Sequence, residues 1–488
     1  MTGPLVERLA VTPDAADAAA CFADLPFLLL LDSTADPERT GRYSFLAADP
    51  YAVIRSRGPL CERLEQSSGW TTIPGDALTA ARTALDPYRT EPLPGLPPFQ
   101  GGAAGYIGYD WGATLERLPV PRYDDLALYD VMLGVYDWVL AWDHCERAAW
   151  IVSTGLPEQG AGRARRADER LAMVRSRLAG GPGLASHGFP VGGARSGDGA
   201  PSYPVTDVED AEAIGLRSTF THRDYLTAVA RVREYILAGD IFQANLSQRF
   251  QAALAEPPFA LYRRLRRTNP SAFGAYLDFG DLRILSASPE RFLKLAGRRV
   301  ETRPIKGTRP RGLDPMHDAL LGQVLAESDK DRAENVMIVD LLRNDLSRVC
   351  VAGTVQVPEL FALEQHPTVH HLVSTVVGQL EAEADAVDLL RATFPGGSIT
   401  GAPKVRAMEI IAELESTRRG VYCGSLGYLS VTGNMDTSIA IRTAVVRDGN
   451  LYFQAGGGIV ADSEPESEYR ETLDKARGII RALAGPHR

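Results

Sequence analysis

Apolar positions along the chain follow two spacings. Between residues 25 and 150 they alternate or cluster in short runs: FLLLLD at 27–32, YSFLAADPYAVIRS at 43–56, GGAAGYIGYDW at 101–111 and VMLGVYDWVLAW at 131–142. Such runs predict strands. From Ser218 the pattern strengthens, and THRDYLTAVARVREYILAGD (221–240) has helical spacing, with Ser218 or Thr221 as cap and Gly239 as stop. FQANLSQRFQAAL (242–254) and the run from Ala272 to Ile305 return to strands, whereas DRAENVMIVDLLRNDLSRV (331–349) is helical. Residues 421–460 predict an antiparallel meander with a tight turn at Asp448-Gly449-Asn450, and 466–485 a closing helix. Strands joined by short turns, with helices set apart, give an α+β fold.

A chain of 488 residues exceeds a typical domain, so two domains or one large intertwined fold is expected. We divide it into a β-rich region at 1–155, a flexible linker at 156–215 and a second patterned region at 216–488. Within the linker an Arg/Ala-rich helix is expected around 161–178. Eight glycines between 180 and 200 then leave too little apolar surface for ordering. There is no internal sequence repeat.

Composition narrows the partners. Hydrophobic residues are 45% and charged residues 23%, the balance of a soluble globular protein. A formal net charge of −10 argues against nucleic acid or an anionic membrane, although local Arg and Lys clusters still suit a small anion. Cys21, Cys61, Cys145, Cys350 and Cys423 show neither zinc nor disulfide spacing, which suits a reducing cytoplasm. No signal peptide is visible, and the longest apolar run, 26–31, is too short to cross a bilayer.

Several groups have chemistry in reach. Asp331 and Glu334 share a helix face, as do Glu468 and Glu471; such carboxylate pairs suit Mg²⁺, and equally suit solvated faces. PGGSITGAPK (395–404) and QAGGGIV (454–460) offer either anion-binding N–H groups or close backbone approach. Lys306 lies among Arg303, Arg309 and Arg311, whose charges would lower its pKa and favour a nucleophilic amine; a solvated lysine is the plainer alternative. His371 is either a general base or a polar core residue on a helix.

Taken in order, PIKGTRPRG, ENVMIVDLLRNDLSRVC, HHLVSTVVGQL, FPGGSITGAPKVRAMEII, YCGSLGYLS, MDTSIAIRT and QAGGGIVADSEPESEYRETLDKA resemble the chorismate-utilising enzymes, densely over 218–485. The resemblance implies a large sandwich of two facing antiparallel sheets with helices outside, and Mg²⁺ held by Glu334 and Glu471, with Glu468 and Asp331 as secondary ligands. It implies that Arg442, Tyr422, Lys475 and the backbone of Gly456, Gly457 and Gly458 hold the substrate carboxylates, with Ser398 facing the ring. Water-adding members carry a lysine where this chain has Gln243, and glutamine cannot deprotonate water. Members that form anthranilate and pyruvate have alanine where this chain has Lys306. The lysine implies covalent attack on C2 of chorismate, Glu290 protonating the departing C4 hydroxyl, and ammonia entering at C4 to give 4-amino-4-deoxychorismate for 4-aminobenzoate and folate. His371 is then left a positioning role. No cysteine sits in a glutaminase-like setting, so a separate glutamine amidotransferase subunit is expected to supply the ammonia. Asp32 and Ser33, with Asn269, Pro270 and Ser271, resemble a tryptophan pocket, which leaves a non-catalytic amino-acid sensor as a further alternative.

Overall fold

The computed structural model describes residues 3–65, 69–181, 199–312, 314–366 and 369–485. Two large antiparallel sheets face one another, with helices on the outer face of each. The first has thirteen strands, running in space through Leu5–Arg8, Ala148–Ser153, Trp138–Asp143, Tyr43–Ala47, Leu28–Asp32, Phe273–Asp278, Arg283–Ser288, Thr443–Arg447, Asn450–Ile459, Gln243–Ala253, Arg217–Ser218 and Tyr203–Pro204, with Gly401–Ala402 beside Gln243–Ala253. The second has twelve: Ile305–Pro310, Val369–Gln379, Arg299–Arg303, Arg291–Ala296, Met435–Ile439, Ser425–Ser430, Gly102–Ile107, Val131–Tyr136, Ala52–Arg57, Leu60–Glu65 and Gly69–Thr72, with Gln356–Gln365 beside Val369–Gln379. The expected sandwich is therefore present, and both sheets contain strands from 1–155 and from 216–488.

Continuous apolar runs form strands here because both faces are covered. In Leu28–Asp32, Leu28 and Leu30 pack outward with Phe22 and Trp138, while Leu29 points inward with Phe45, Tyr106 and Tyr428. Helices His222–Leu237, Pro258–Thr268 and Pro465–Ala484 cover the first sheet through Tyr225, Val229, Leu261 and Leu473. Helices Ala77–Leu85, Asp329–Ser347 and Ala386–Thr393 cover the second through Leu78, Ile338, Leu342 and Leu389. Thr221, rather than Ser218, caps its helix by accepting from the Asp224 N–H.

Three expectations are corrected. The meander at 421–460 is two hairpins in different sheets: Ser425–Ser430 with Met435–Ile439 in the second, Thr443–Arg447 with Asn450–Ile459 in the first. The chain crosses at Ala440–Arg442, where Arg442 adopts φ of 50°, a left-handed turn that a smooth hairpin would not need. YSFLAADPYAVIRS and VMLGVYDWVLAW each divide likewise, around Asp49 and Asp137, and the chain crosses again at Pro289-Glu290. His371 lies on the strand Val369–Gln379 instead of a helix, because VHHLVSTVV fits a strand buried on both sides. Finally, much of the 156–215 stretch is packed: Gly160–Gly180 is a helix that buries Ala167 and Val174, and Val205 and Ala211 are also buried. The glycine-rich part at 182–198 lies outside the described residues.

Candidate active site

The crossings at Glu290 and Arg442 brace each other. The Ser288 hydroxyl donates to the Ile439 carbonyl (2.6 Å), the Ile439 N–H to the Glu290 carbonyl (3.0 Å) and the Ala287 N–H to the Arg442 carbonyl (3.1 Å). Both side chains are thereby held between the sheets. Glu290 is 4% exposed, and its carboxyl accepts from the Ser398 hydroxyl at 2.6 Å and from the Ile305 backbone. Burial pushes this carboxyl up to about 7, against the Ser398 bond and the field of Lys306. Glu290 is thus protonated in part at neutral pH, as a proton donor must be. Burial also lowers the Arg442 pKa, with only the field of Glu290 opposing it. A desolvated guanidinium of this kind is a receptor for an anion.

Lys306 sits on Ile305–Pro310, at the edge of the second sheet. Its pKa is lowered, but not by the expected neighbours. Arg303 is paired with Glu364 and Glu359, Arg309 with Asp331 and Arg311 with Asp318. Burial is the main cause, helped by Lys475 and opposed by Glu334, Glu290 and Glu471. On the next strand, His371 Nδ1 lies 2.9 Å from the Thr308 hydroxyl; burial, Arg442 and His366 hold its pKa down to about 3, so the imidazole is neutral. Tyr422 is buried beside Cys423 and the Arg419 guanidinium.

The two acidic pairs approach from different helices, Asp329–Ser347 and Pro465–Ala484. A Cβ on Gly457 would lie 2.9 Å from Glu468 Oε2 and 3.3 Å from Glu471 Oε1, so only glycine leaves room for both carboxylates. Glu468 also accepts from the Ser463 hydroxyl (2.6 Å). Burial raises the pKa values of Glu334 and Glu468, and the negative charge of Glu471 adds to both. Burial would raise Glu471 as well, but Lys475 at 2.6 Å holds it low. Asp331 stands apart because Arg309 binds it at 2.8 Å. Among the described residues no three acidic, cysteine or histidine side chains gather as a complete metal cage.

Gly456 and Gly458 meet the neighbouring strand Gln243–Ala253 in unbroken register, so the glycine run reflects close approach and no bulge. Lys475 donates to the Gly456 carbonyl (2.8 Å), which commits it to Glu471 and the backbone. Gln243 is fully buried, and neither amide atom has a hydrogen-bond partner among the described residues. The Asp32 group is a separate cluster. Its buried carboxylate accepts from Tyr262 (2.9 Å) and Arg266 (2.5 Å), and the Ser33 hydroxyl donates to Tyr43 and Ala272 carbonyls. The Thr34 N–H donates to the Ser271 carbonyl and the Ser271 N–H to the Thr34 hydroxyl, Pro270 follows Asn269 in the chain, and Asn269 donates to the Gly478 carbonyl.

A match to the chorismate binding enzyme family spans residues 28–481, nearly the whole chain. The protein belongs to the chorismate-binding enzymes. It is 44% identical over 484 residues to aminodeoxychorismate synthase component 1 of Salmonella typhimurium, covering 98% of each chain. It is 40% identical over 475 residues to anthranilate synthase component 1 of Pseudomonas putida, covering 95% of this chain and 91% of that one. The crystal structure of anthranilate synthase component I from Streptococcus pneumoniae TIGR4 superposes with a TM-score of 0.74 at 33% identity, covering 90% of this chain and 92% of that one. Among the described residues no helix is long and apolar enough to cross a membrane.

Sequence reasoning for this chorismate-binding enzyme missed a layer behind the site. Arg419 and Glu415 form a fully buried pair, and Lys404 joins Asp345 (2.6 Å) and the Thr393 carbonyl (2.7 Å) under the Ser398 loop. The spacing of Glu415 and Arg419, four apart, was the available signal, but such pairs are usually solvated.

Proposed function

We propose that the protein aminates chorismate at C4, giving 4-amino-4-deoxychorismate for 4-aminobenzoate and folate. The observation that carries this reading is Lys306, an amine with a lowered pKa in a site shared with a buried proton donor, Glu290. Its amine, in the deprotonated form that the lowered pKa favours, adds to ring carbon C2, the ring double bonds shift, and the C4–O bond breaks as Glu290 transfers its proton to the departing hydroxyl, releasing water. Ammonia then adds at C4, the double bonds shift back, the C2–N bond to Lys306 breaks, and the proton shed by the new C4 ammonium returns to the Glu290 carboxylate. The net change is chorismate plus ammonia to aminodeoxychorismate plus water. Arg442, the Tyr422 hydroxyl and the backbone at Gly456–Gly458 bind carboxylates, and Ser398 aims Glu290. Gln243 offers an uncommitted amide to the incoming nucleophile and no base, which disfavours water. Neutral His371 positions and does not transfer a proton.

Glu334, Glu468 and Glu471 fit Mg²⁺, since burial and mutual repulsion keep the first two carboxyls raised although Lys306, Lys330 and Lys475 lie nearby. Bound there, Mg²⁺ would neutralise that acidic face and hold a substrate carboxylate. Asp331 fits only through water while Arg309 retains it. The ammonia is assigned to a partner glutamine amidotransferase subunit, and the compartment to a reducing cytoplasm, supported by five free cysteines. The second reading is anthranilate formation, favoured by the 40% identity to an anthranilate synthase component 1. Mass spectrometry of products from chorismate, Mg²⁺ and ammonium separates them. Aminodeoxychorismate, lost in Lys306→Ala, is the expected result; anthranilate with pyruvate would overturn it.

A further inference from the structure

We infer that Arg419, held by Glu415, is a positioning residue that fixes the Ser398 loop, Tyr422 and the Gln243 strand around the reacting ring. This rests on the amination reading and extends it to residues that touch no substrate. The pair is 1% and 5% exposed and bidentate, with Nε to Oε2 at 2.9 Å and Nη2 to Oε1 at 2.7 Å. Arg419 Nη1 donates to the Ile399 carbonyl (3.1 Å), next to Ser398, and Nη2 to the Asn245 carbonyl (2.6 Å), two residues from Gln243. Glu415 accepts from the Ser247 N–H (2.8 Å) and hydroxyl (2.9 Å), opposite Gly456. The Arg419 carbonyl accepts from the Tyr422 N–H (3.2 Å) and the Gln454 amide (3.2 Å). Its guanidinium stacks 4.6 Å from the Tyr109 ring and 5.6 Å from that of Tyr422.

Arg419 therefore ties four chain segments that each carry a residue of the site, the Ser398 and Gln243 segments through its guanidinium and the Tyr422 and Gly456 segments through its carbonyl. A buried ion pair adds little stability that well-packed apolar residues would not. What apolar residues cannot supply is the fixed fork that sets four oxygen positions at once, and lysine cannot supply it either. The functional consequence runs through Ser398. Its bond to Glu290 opposes the upward push of burial, alongside Lys306 and Lys475. Arg442 and Cys423 also face Glu290. Slackening the loop weakens the Ser398 bond and leaves those other groups in place, so Glu290 keeps its proton to higher pH. Behind the pair a cavity of about 110 Å³, walled by Leu118, Val120, Met408 and Ile411 with Glu415 and Arg419 among its lining, gives a small cation access.

The test compares kcat/KM for chorismate with saturating ammonium, across pH, in wild type, Arg419→Lys, Glu415→Gln and Arg419→Ala with added guanidinium. Thermal midpoints are measured alongside. A wild-type enzyme that fails to aminate chorismate removes the amination reading; one that does so leaves the variants to report on Arg419. The expected result for Arg419→Lys is a folded protein whose kcat/KM falls roughly tenfold to a hundredfold. Its alkaline limb should move upward by about half a pH unit. Guanidinium should restore part of the activity of Arg419→Ala. If Arg419→Lys does not fold, Glu415→Gln carries the same expectation. Wild-type kcat/KM and limb position in the folded variants would overturn the inference. So would a loss that follows the folded fraction with the limb unmoved.

Discussion

The molecule uses one topological device twice, and the two copies are finished differently. In the N-terminal half, Tyr43–Ala47 leads into Ala52–Arg57 and Val131–Tyr136 into Trp138–Asp143, each pair crossing from one sheet to the other. In the C-terminal half, Arg283–Ser288 leads into Arg291–Ala296 and Met435–Ile439 into Thr443–Arg447 in the same sense. Each half pairs its two crossing chains in both sheets. At the N-terminal crossings Asp49 and the fully buried Asp137 are neutralised by the helix Gly160–Gly180: Arg170 reaches Asp49 (2.7 Å) and Asp137 (3.2 Å), and Arg166 reaches Asp137 (2.6 Å). At the C-terminal crossings Glu290 is met by the Ser398 hydroxyl and the Ile305 backbone, and among the described residues Arg442 makes no ion pair and feels only the field of Glu290. Crossing points bring polar groups between sheets; a helix supplies the counter-charges at one pair, whereas at the other Glu290 and Arg442 face each other's field.

The comparison breaks most sharply at its two acids. Glu290→Gln removes the proton donor and should lower kcat by about 10²–10⁴-fold, measured by product formation. The same change should raise stability. A carboxyl with a raised folded pKa costs nothing below its unfolded value near 4.5 and its full penalty above about 7. At pH 8, Glu290→Gln should therefore gain up to about 3 kcal/mol in denaturant unfolding, with no gain near pH 4. Asp137→Ala should do the reverse, leaving two arginines without their buried partner and costing about 3 kcal/mol, while kcat per folded molecule stays near wild type. Strong loss of turnover in a folded Asp137→Ala would erase the distinction.

Smaller effects sharpen it. Activity should fall as pH rises through about 7, where Glu290 loses its proton, and the limb should vanish in Glu290→Gln. Neutral His371, with a pKa near 3, should contribute no limb between pH 5 and 8. Mg²⁺ should raise the melting temperature, by about 2.7 kcal/mol of linkage at a hundredfold excess over Kd, and Glu334→Gln should weaken that response. An unchanged midpoint with Mg²⁺ would remove the metal from the acidic face.

Much of this was readable in advance. The apolar run FLLLLD and the helical spacing at 331–349, with short turns between strands, pointed to the α+β class, while the two facing sheets came from the family resemblance. Family resemblance carried Glu290, Lys306 and Arg442, which period and spacing alone left open. The crossings were not legible, because VMLGVYDWVLAW is apolar on both sides of Asp137 and is buried throughout, so it reads as one continuous strand. The internal likeness of the halves escaped for the same reason: topology repeats where sequence does not. The cause of the lowered Lys306 pKa was misjudged because neighbours in sequence were assumed to be neighbours in space, whereas Arg303, Arg309 and Arg311 are each occupied by an acid.

The central claim is that Lys306 forms and then breaks a bond to the substrate ring. Wild-type protein would be mixed with chorismate and Mg²⁺ without ammonium, quenched, digested and mapped by mass spectrometry. The account predicts an increment of chorismate less one water on the peptide containing Lys306, discharged when ammonium is added before the quench. No adduct at Lys306, with aminodeoxychorismate still formed by Lys306→Ala, would contradict it.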